Sequence, residues 1–286
     1  MSNTPHEYPR FNLAQRIEHI ILLVSFTVLS ITGLPQMFSL QPWAAFMIDA
    51  MGGIETVRII HRTSAVLLIV GTIYHFVAVA YRMYVRRVAM TMLPGLQDVK
   101  DGLQALGHNV GLVKSAPRMG RYNFGEKVEY WAVIWGTVVM VLTGFMLWNP
   151  IATTSFLPGQ FIPAAKAAHG GEALLAVLSI ITWHFYNVHV KRFNRSMFTG
   201  RISHEEMEEE HALELEEIER GQRIEADAEG VRRRRRLFVP AAAIITTILL
   251  IGLYFFVTYE QTAITTVPRQ EIDVFTPLTP DPGVVQ

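Results

Sequence analysis

Two pairs of histidines lie inside long apolar segments of this 286-residue chain, where a polar ring is costly and marks a functional site. His169 and His184 are 15 residues apart, which on a helix gives roughly 22 Å of rise and about 60° of rotation. His61 and His75 are 14 residues apart, roughly 21 Å and about 40° short of whole turns. Each helix would therefore present imidazoles at two membrane depths. Two such helices side by side would hold two haems, one near each membrane surface.

Hydrogen bonding between helices is the competing interpretation, because a lone histidine in a membrane helix commonly serves that purpose. Four histidines at paired depths favour axial ligation, and neutral imidazole on both sides suits a low-spin iron that only carries electrons. His61 and His169 are assigned to one haem. At the other level, His19 and His75 compete as the partner of His184, and the spare histidine leaves a third haem open.

The remaining histidines have less specific surroundings. His189 is 20 residues from His169, about 200° round the helix, and so faces elsewhere. It is interpreted as an interfacial residue: a quinone contact, a proton-relay group or a solvated side chain. Histidines in polar stretches are expected to be solvated: His6, His108, His204 and His211. Small residues near the ligands would admit a flat macrocycle, although close helix packing also favours them: Gly33, Gly71, Gly170 and Gly171.

Five apolar segments must position these side chains, and each is long enough to cross a bilayer without a central charge. They run from 17 to 38, 59 to 81, 128 to 148, 167 to 190 and 237 to 259. A hydrophobic content of 50% and a mean hydropathy of +0.26 are high for a soluble protein. The predicted fold class is therefore an all-α membrane protein.

The basic residues predict the orientation of the chain. The connection 82–127 holds eight Lys or Arg and the connection 191–236 holds eleven, whereas 39–57 holds none. Cytoplasmic loops gather such residues, so the N-terminus is expected in the cytoplasm and the C-terminus outside. His61 and His169 then lie near the outer surface, with His19 and His184 near the inner one. No cleavable signal pattern is present, so the first helix is expected to be retained.

Composition also bounds the cofactors and divides the chain. The absence of cysteine excludes disulfides, iron–sulfur ligation and covalent haem in this chain, so haem must be held by His or Met. The predicted domains are a histidine-bearing region 1–200, a charged cytoplasmic helix or linker 201–236, a fifth transmembrane helix 237–259 and an extended outer tail 260–286.

Within this linker, residues 203–229 are rich in helix formers but have a poor apolar face. They are interpreted as a solvated helix, or as a tether lying against a neighbour. The run 232–236, RRRRR, suits a positive-inside stop and an anionic-lipid contact, and argues against nucleic acid because it abuts a membrane span.

Three sequence strings carry a resemblance to a known family. They are RYNFGEKVEYWAVI at 121–134, PRFNLAQRIEHI at 9–20 and VRIIH at 57–61, in register with the histidine-bearing fourth segment. In these strings the chain resembles the cytochrome b (gamma) subunit of membrane-bound formate dehydrogenases, a part of the diheme cytochrome b superfamily. The resemblance covers about residues 10–200, and the fifth helix and the tail fall outside it.

The resemblance implies a four-helix diheme cytochrome b bundle, to which this chain adds a fifth C-terminal transmembrane helix. Such a subunit, in a bacterial cytoplasmic membrane, would exchange electrons between menaquinone or a related quinone and a periplasmic iron–sulfur or multihaem cytochrome c subunit. Quinone would bind near Asn123 and Gly125, although a helix N-terminal turn also explains these residue types. The implied haem ligands are His61 with His169 and His19 with His184.

Two departures from the family pattern keep alternatives open. The family places its fourth-helix histidines one position closer together than this chain does, and it has no histidine at the position of His75. The spacings in this chain resemble instead those in the cytochrome b of bc-type complexes, so His75 also stays a candidate inner ligand.

Two other functions compete with an electron conduit. A haem-binding anchor without its own quinone site fits the same residues. A transporter or proton channel would require paired acidic residues within the spans, and only Glu172 is expected inside a helix.

Overall fold

The computed structural model describes residues 7–191, 193–221 and 228–259. Its long helices are α1 (Leu13–Met37), α3 (Ile54–Tyr84), α5 (Phe124–Trp148), α7 (Phe161–Ser179) and α11 (Ala228–Thr258). Helix α7 continues through π-helical turns at Ile180–His184 and Tyr186–Lys191. The shorter elements are β1 (Glu7–Pro9), α2 (Pro42–Ala50), α4 (Leu96–Asn109), α6 (Pro150–Thr154), α8 (Ser196–Thr199), β2 (Arg201–Ser203), α9 (His204–Glu210) and α10 (Ala212–Glu219).

Five helices are long and apolar enough to cross a membrane, as the sequence predicts. They begin several residues before the predicted starts, because hydropathy detects the apolar centre of a helix rather than its cap. Asn12 and Asn123 each cap a helix by accepting a hydrogen bond from the backbone of its third residue, and Gln15 and Glu126 bond back to complete a capping box. The fold is thus that of an all-α membrane protein.

The histidine-bearing helices pack as neighbours. Helix α1 packs on α3 and on α7, and α5 packs on α7. Helix α11 lies against α3, and its Phe256 ring stacks on Phe145 of α5 with ring centroids 4.9 Å apart. Near the other end of α11, Arg234 Nε donates to the Val85 carbonyl at 3.0 Å. Contacts near both of its ends therefore hold α11 against α3 and α5.

The charged segment forms a clasp across one end of the molecule. Residues 201–219 fold as β2, α9 and α10, and β2 pairs antiparallel with β1 through Tyr8 and Ile202. Met207 and Leu215 are buried beside this ribbon. The interpretation of this segment as a solvated helix is therefore wrong, because its few apolar side chains are spaced to pack on the chain's own N-terminal strand. We call residues 201–219 the clasp.

The predicted domain boundary at the fifth helix also changes. Helix α11 begins at Ala228, so the arginine run 232–236 is helical rather than part of a linker. Arginine is a strong helix former, which allows the span to extend beyond its apolar part. Residues 222–227 and the predicted tail 260–286 lie outside the described residues, as does His6.

A buried ion network fastens the clasp to the ends of α1 and α5. Arg10 is 3% exposed and donates to Glu214 of the clasp at 2.8 Å and to Glu126 of α5 at 3.2 Å. Arg121 also donates to Glu214, and its other Nη donates to the Arg10 carbonyl at 2.7 Å. One carboxylate thus joins the arginine of the RFN string to that of the RYN string, although the two lie far apart in the sequence.

His211 of the clasp is buried, which corrects the expectation that it is solvated. It is 1% exposed, and its Nδ1 donates to the Gly120 carbonyl at 2.9 Å. Burial, with the nearby Arg10 cation, lowers the pKa of His211 to about 4. His108 is exposed and His204 is partly exposed, in agreement with the sequence.

The clasp should loosen on acidification. In the unfolded state His211 is protonated below about pH 6.5, whereas in the folded state it stays neutral down to about pH 4. The free energy of unfolding of the clasp is therefore highest above about pH 6.5 and decreases as the pH falls from there toward 4. We expect about 2 kcal/mol to be lost between roughly pH 7.5 and 5, which is about a 30-fold loss of amide protection in α9 and α10. Hydrogen exchange, corrected for intrinsic rates, measures this change. His211→Asn keeps a donor for Gly120 and should abolish the pH dependence, whereas His204→Asn should retain it.

Candidate functional site

Two imidazole pairs face each other across the helices at two levels. His61 of α3 and His169 of α7 have ring centroids 6.4 Å apart and an interplanar angle of 65°. His19 of α1 and His184 of α7 also have centroids 6.4 Å apart, with an angle of 36°. The structure therefore brings together both pairs that the family resemblance implies.

The separation within each pair suits a metal held between the two rings. Two opposing imidazole nitrogens at roughly 2.0–2.1 Å from a metal place the ring centroids roughly 6.3 Å apart, with about 1.1 Å added on each side from nitrogen to ring centre. Among the described residues no group of three or more His, Cys, Asp or Glu side chains is gathered for a metal ion. Two protein ligands in line suit haem, whose macrocycle supplies the four equatorial nitrogens.

Threonines set the ring orientation of the His61–His169 pair. Thr32 Oγ1 donates to the Val28 carbonyl at 2.6 Å, so its lone pair accepts from His61 Nδ1–H at 2.9 Å. In the same way Thr143 Oγ1 donates to Val139 and accepts from His169 Nδ1–H at 2.9 Å. Both rings are thereby held in the tautomer whose Nε2 lone pair is available to a metal.

The His19–His184 pair has a different support. His184 Nδ1 lies 2.9 Å from Glu129 Oε2, which directs the Nε2 atom of this ring away from the carboxylate. His19 Nδ1 is buried and has no hydrogen-bond partner within the described part of the chain. The separation of the two ring centroids is the same 6.4 Å as in the His61–His169 pair, so the residues of this pair also fit a haem held between two imidazoles.

His75 is engaged at both of its ring nitrogens. Nδ1 lies 2.6 Å from Glu18 Oε2, and Nε2 lies 2.9 Å from the Tyr130 hydroxyl. A direct nitrogen–oxygen hydrogen bond leaves no room for iron between the two groups, since two metal bonds need roughly 4 Å. This arrangement favours His19 over His75 as the partner of His184, and it gives no support to a third haem at His75.

Sequence reasoning missed a repeat that relates these contacts. Residues in the first half of the chain and their counterparts in the second half, always the same number of positions apart, make the same kind of contact. The pairs are Asn12 and Asn123, which cap helices; Glu18 and Glu129, and Thr32 and Thr143, which hydrogen-bond to histidines; and Gly33 and Gly144, which contact the rings of the threonine-bonded histidines. At the same offset, His19 corresponds to Tyr130. The signal was present in the sequence, because RFN and RYN open the two halves.

The π-helical turns explain why the histidines of α7 are spaced more widely than those of α3. Each π turn holds about one residue more than an α turn. The additional position between His169 and His184 is therefore absorbed, and His184 faces Glu129 in the same way as His75 faces Glu18. The departure from the family spacing is thus a local change of helix type rather than a change of site.

Two classes of small residue are distinguished by the packing. A Cβ on Gly33 would lie 3.0 Å from His61 Cε1, and one on Gly144 would lie 3.3 Å from His169 Cε1, so these glycines admit the imidazole rings. Gly71 and Gly170 instead meet Ile21 and Met37, which is ordinary close helix packing. Gly144 was not among the glycines expected from the sequence.

The other predicted site residues lie near the His19–His184 level. Asn123 is the N-cap of α5, and Gly125 is buried, with a Cβ position 3.4 Å from the Trp183 ring. Trp183 directly precedes His184. His189 lies between Phe185 and Phe193, with ring centroids at 5.0 and 5.8 Å, rather than among the paired histidines.

Acidic side chains within the spans are more numerous than expected. Besides Glu172, the helices that can span a membrane carry Glu18, Glu55, Glu126, Glu129 and Glu229 within their bounds. Two of them contact histidines: Glu18 is bonded to His75 and Glu129 to His184. Glu18 and Glu129 lie at or close to the starts of the predicted apolar segments. The sequence did not place them well inside the spans because the helices begin several residues before those segments. Paired in this way they orient imidazoles.

Thr32→Val tests the support of the His61 ring. Valine has the same shape but removes the hydroxyl that accepts from His61 Nδ1–H, which reduces ligand basicity. We expect haem affinity at this pair to fall about 10- to 100-fold and its midpoint potential to rise. Redox titration with haem quantification measures both. Thr143→Val should affect the same haem, while Ser30→Ala, which loses only a bond to the Phe26 carbonyl, should leave it unchanged.

The membrane-spanning helices and the paired imidazoles between them resemble the haem sites of b-type membrane cytochromes. Comparison with known proteins agrees: residues 1–95 match the family model described as prokaryotic cytochrome b561. The cytochrome b556(Fdn) subunit of the nitrate-inducible formate dehydrogenase of Escherichia coli K12 is 21% identical over 78% of this chain and 96% of its own length.

Two further relatives carry similar names. The cytochrome b556(fdo) subunit of an E. coli K12 formate dehydrogenase is 26% identical over 62% of this chain and 76% of its own. The formate dehydrogenase cytochrome b556 subunit of Haemophilus influenzae is 22% identical over 68% and 76%. The resemblance to membrane cytochrome b subunits of formate dehydrogenase-type complexes is therefore confirmed.

Proposed function

We propose that this chain is the diheme cytochrome b subunit of a respiratory oxidoreductase complex, a four-helix bundle of α1, α3, α5 and α7 to which α11 is added. The observation that carries the proposal is the presence of two imidazole pairs with the same 6.4 Å centroid separation at two levels of the bundle. His61 and His169 hold one haem b, and His19 and His184 hold the other.

Haem supplies one-electron chemistry, and the side chains of this chain supply its position and surroundings. His169 and His184 lie on one continuous helix, so the two levels are separated by roughly 20 Å of helix rise. Thr32, Thr143 and Glu129 fix the imidazole rings. This arrangement provides an electron path along the bundle.

The orientation follows from the basic connections. The clasp end of the molecule, with the arginine run of α11, faces the cytoplasm, and the C-terminus lies outside. The His19–His184 pair is then the cytoplasmic level. The outer partner contributes its own iron–sulfur clusters or haems c, since this chain has no cysteine with which to bind such centres.

Menaquinone or a related quinone binds beside the His19–His184 haem, near the start of α5. Asn123 Oδ1 accepts from Glu126 N as a helix cap, which leaves the amide Nδ2 to donate to a quinone carbonyl. Gly125 and Trp183 provide a flat apolar surface next to His184. His189 follows His184 on the continuation of α7 and lines the path by which quinone reaches this site from the membrane interface.

Menaquinol-driven haem reduction tests this proposal. In the purified complex we expect menaquinol to reduce both haems and a quinone analogue to block the reduction. Asn123→Asp keeps the helix cap but removes the amide donor, so it should slow reduction while haem content stays constant. Asn109→Asp, at the end of α4, is the matched control.

The outcomes separate the candidate functions. Haem that menaquinol does not reduce would indicate an anchor without its own quinone site. A reduced-minus-oxidised spectrum without a b-type signal would contradict the cytochrome function altogether and would leave the histidines as relays.

A further inference from the structure

A cavity of about 610 Å³ opens at the clasp end between α1, α3 and α11, and none of the paired histidines lines it. Its polar side is formed by Gln15, Arg82 and Arg86, and its apolar side by Phe238, Val239 and Ala242 of α11. The wall from α11 belongs to the part of the chain outside the family resemblance. Asn123, Gly125 and Trp183 do not line the cavity, so it is separate from the quinone site proposed at the start of α5.

The charge of the cavity is positive at its polar side. Arg82 is half-buried, Arg86 is exposed, and neither is ion-paired to an acidic residue in the described part of the chain. Glu18 also lines the cavity, but its carboxylate is bonded to His75 at 2.6 Å. An anion in the cavity would stabilise the half-buried guanidinium of Arg82, because an unpaired charge away from water is energetically costly.

The apolar side decides the kind of anion. Phe238, Val239 and Ala242 lie on the first apolar turns of α11, directly after the arginine run. Arg234 in that run is fixed to the carbonyl of Val85, which directly precedes Arg86. Arginines and an apolar wall thus meet where a phospholipid changes from headgroup to acyl chain. An inorganic phosphate ion has no apolar part that could contact that wall.

We propose that this cavity binds one anionic phospholipid, with its phosphate between Arg82 and Arg86 and an acyl chain along α11. Arginine suits the phosphate because its planar guanidinium donates two parallel hydrogen bonds. The lipid fills the space between α11 and α3 and so stabilises the position of the fifth helix. This inference requires only that the spans lie in a membrane, and it is independent of the quinone reaction.

Native mass spectrometry of the full chain, titrated with phosphatidylglycerol or phosphatidylcholine in neutral detergent, tests the proposal. We expect one phosphatidylglycerol to bind per chain in preference to phosphatidylcholine. The double variant Arg82→Gln/Arg86→Gln should weaken this binding about 30-fold, because each basic residue near an anionic lipid contributes a factor of about five. Arg87→Gln/Lys100→Gln removes two exposed cations that do not line the cavity and should leave the binding unchanged.

A second variant tests the cavity without changing charge. Ala242→Trp fills the wall of α11 and should displace the lipid while the haem spectrum is preserved. Equal affinity for the two lipids, full binding by the Arg82/Arg86 variant, or competition by inorganic phosphate or menaquinone at this site would overturn the proposal. Failure of menaquinol to reduce haem would instead concern the proposed function alone.

Discussion

Replacing His169 by alanine should halve the haem content of the purified chain, from two haems to one. The remaining His61 would leave iron with a single axial ligand, and the His19–His184 pair lies roughly 20 Å away along α7, too far to be disturbed by a missing ring. Pyridine haemochrome analysis against protein concentration measures the ratio. His61→Ala should give the same result, since the two rings face each other at 6.4 Å.

The control for this substitution is His108→Ala, on an exposed helix, which should retain both haems. Redox titration should then show a single component in the His169 variant. That component should keep the potential of the His19–His184 haem. Two haems in a folded His169→Ala chain would contradict the assignment of this pair, and so would a loss confined to the other component.

The second large effect is expected at His19, and it should be absent at His75. His19→Ala removes one ring of a pair with metal spacing, so the second haem should be lost. His75→Ala removes a ring that bonds to Glu18 and Tyr130, so it should weaken helix packing but retain both haems. Haem content per chain of the two variants, compared side by side, measures the difference.

The reverse pattern would identify His75 as the ligand. A milder variant separates packing from ligation at this position: His75→Gln keeps hydrogen-bonding groups toward Glu18 and Tyr130 and should resemble the unmodified chain in both haem content and thermal stability. Loss of a haem in His75→Gln would contradict the interpretation of His75 as a hydrogen-bonding residue.

The repeat gives a physical reason for this difference between two similar histidines. Glu129 bonds to Nδ1 of His184 as Glu18 bonds to Nδ1 of His75. Across from them, however, the first half of the chain supplies His19 and the second half supplies Tyr130. Imidazole facing imidazole leaves a 6.4 Å centroid separation, whereas the phenol approaches its histidine closely enough for a direct hydrogen bond.

The sequence by itself determined the five spans and the levels of the paired histidines. Helix rise is a fixed length per residue, so the spacing of two histidines along a helix translates directly into membrane depth. Hydropathy likewise locates apolar centres, and the confirmed resemblance carried the pairing of His61 with His169 and of His19 with His184 as an expectation. The helix starts were missed because Asn12, Asn123 and the polar first turns contribute no apolar signal.

Tertiary structure alone decided which nitrogens of each histidine are free and what surrounds them. Depth is a one-dimensional quantity, but ring orientation depends on a threonine or glutamate that another helix brings into hydrogen-bonding distance. The choice between His19 and His75 therefore rests on Tyr130 of α5, and the burial of His211 rests on Gly120 and Arg10. These contacts join residues that are far apart along the chain. No local pattern encodes such contacts, because they form only when the helices pack.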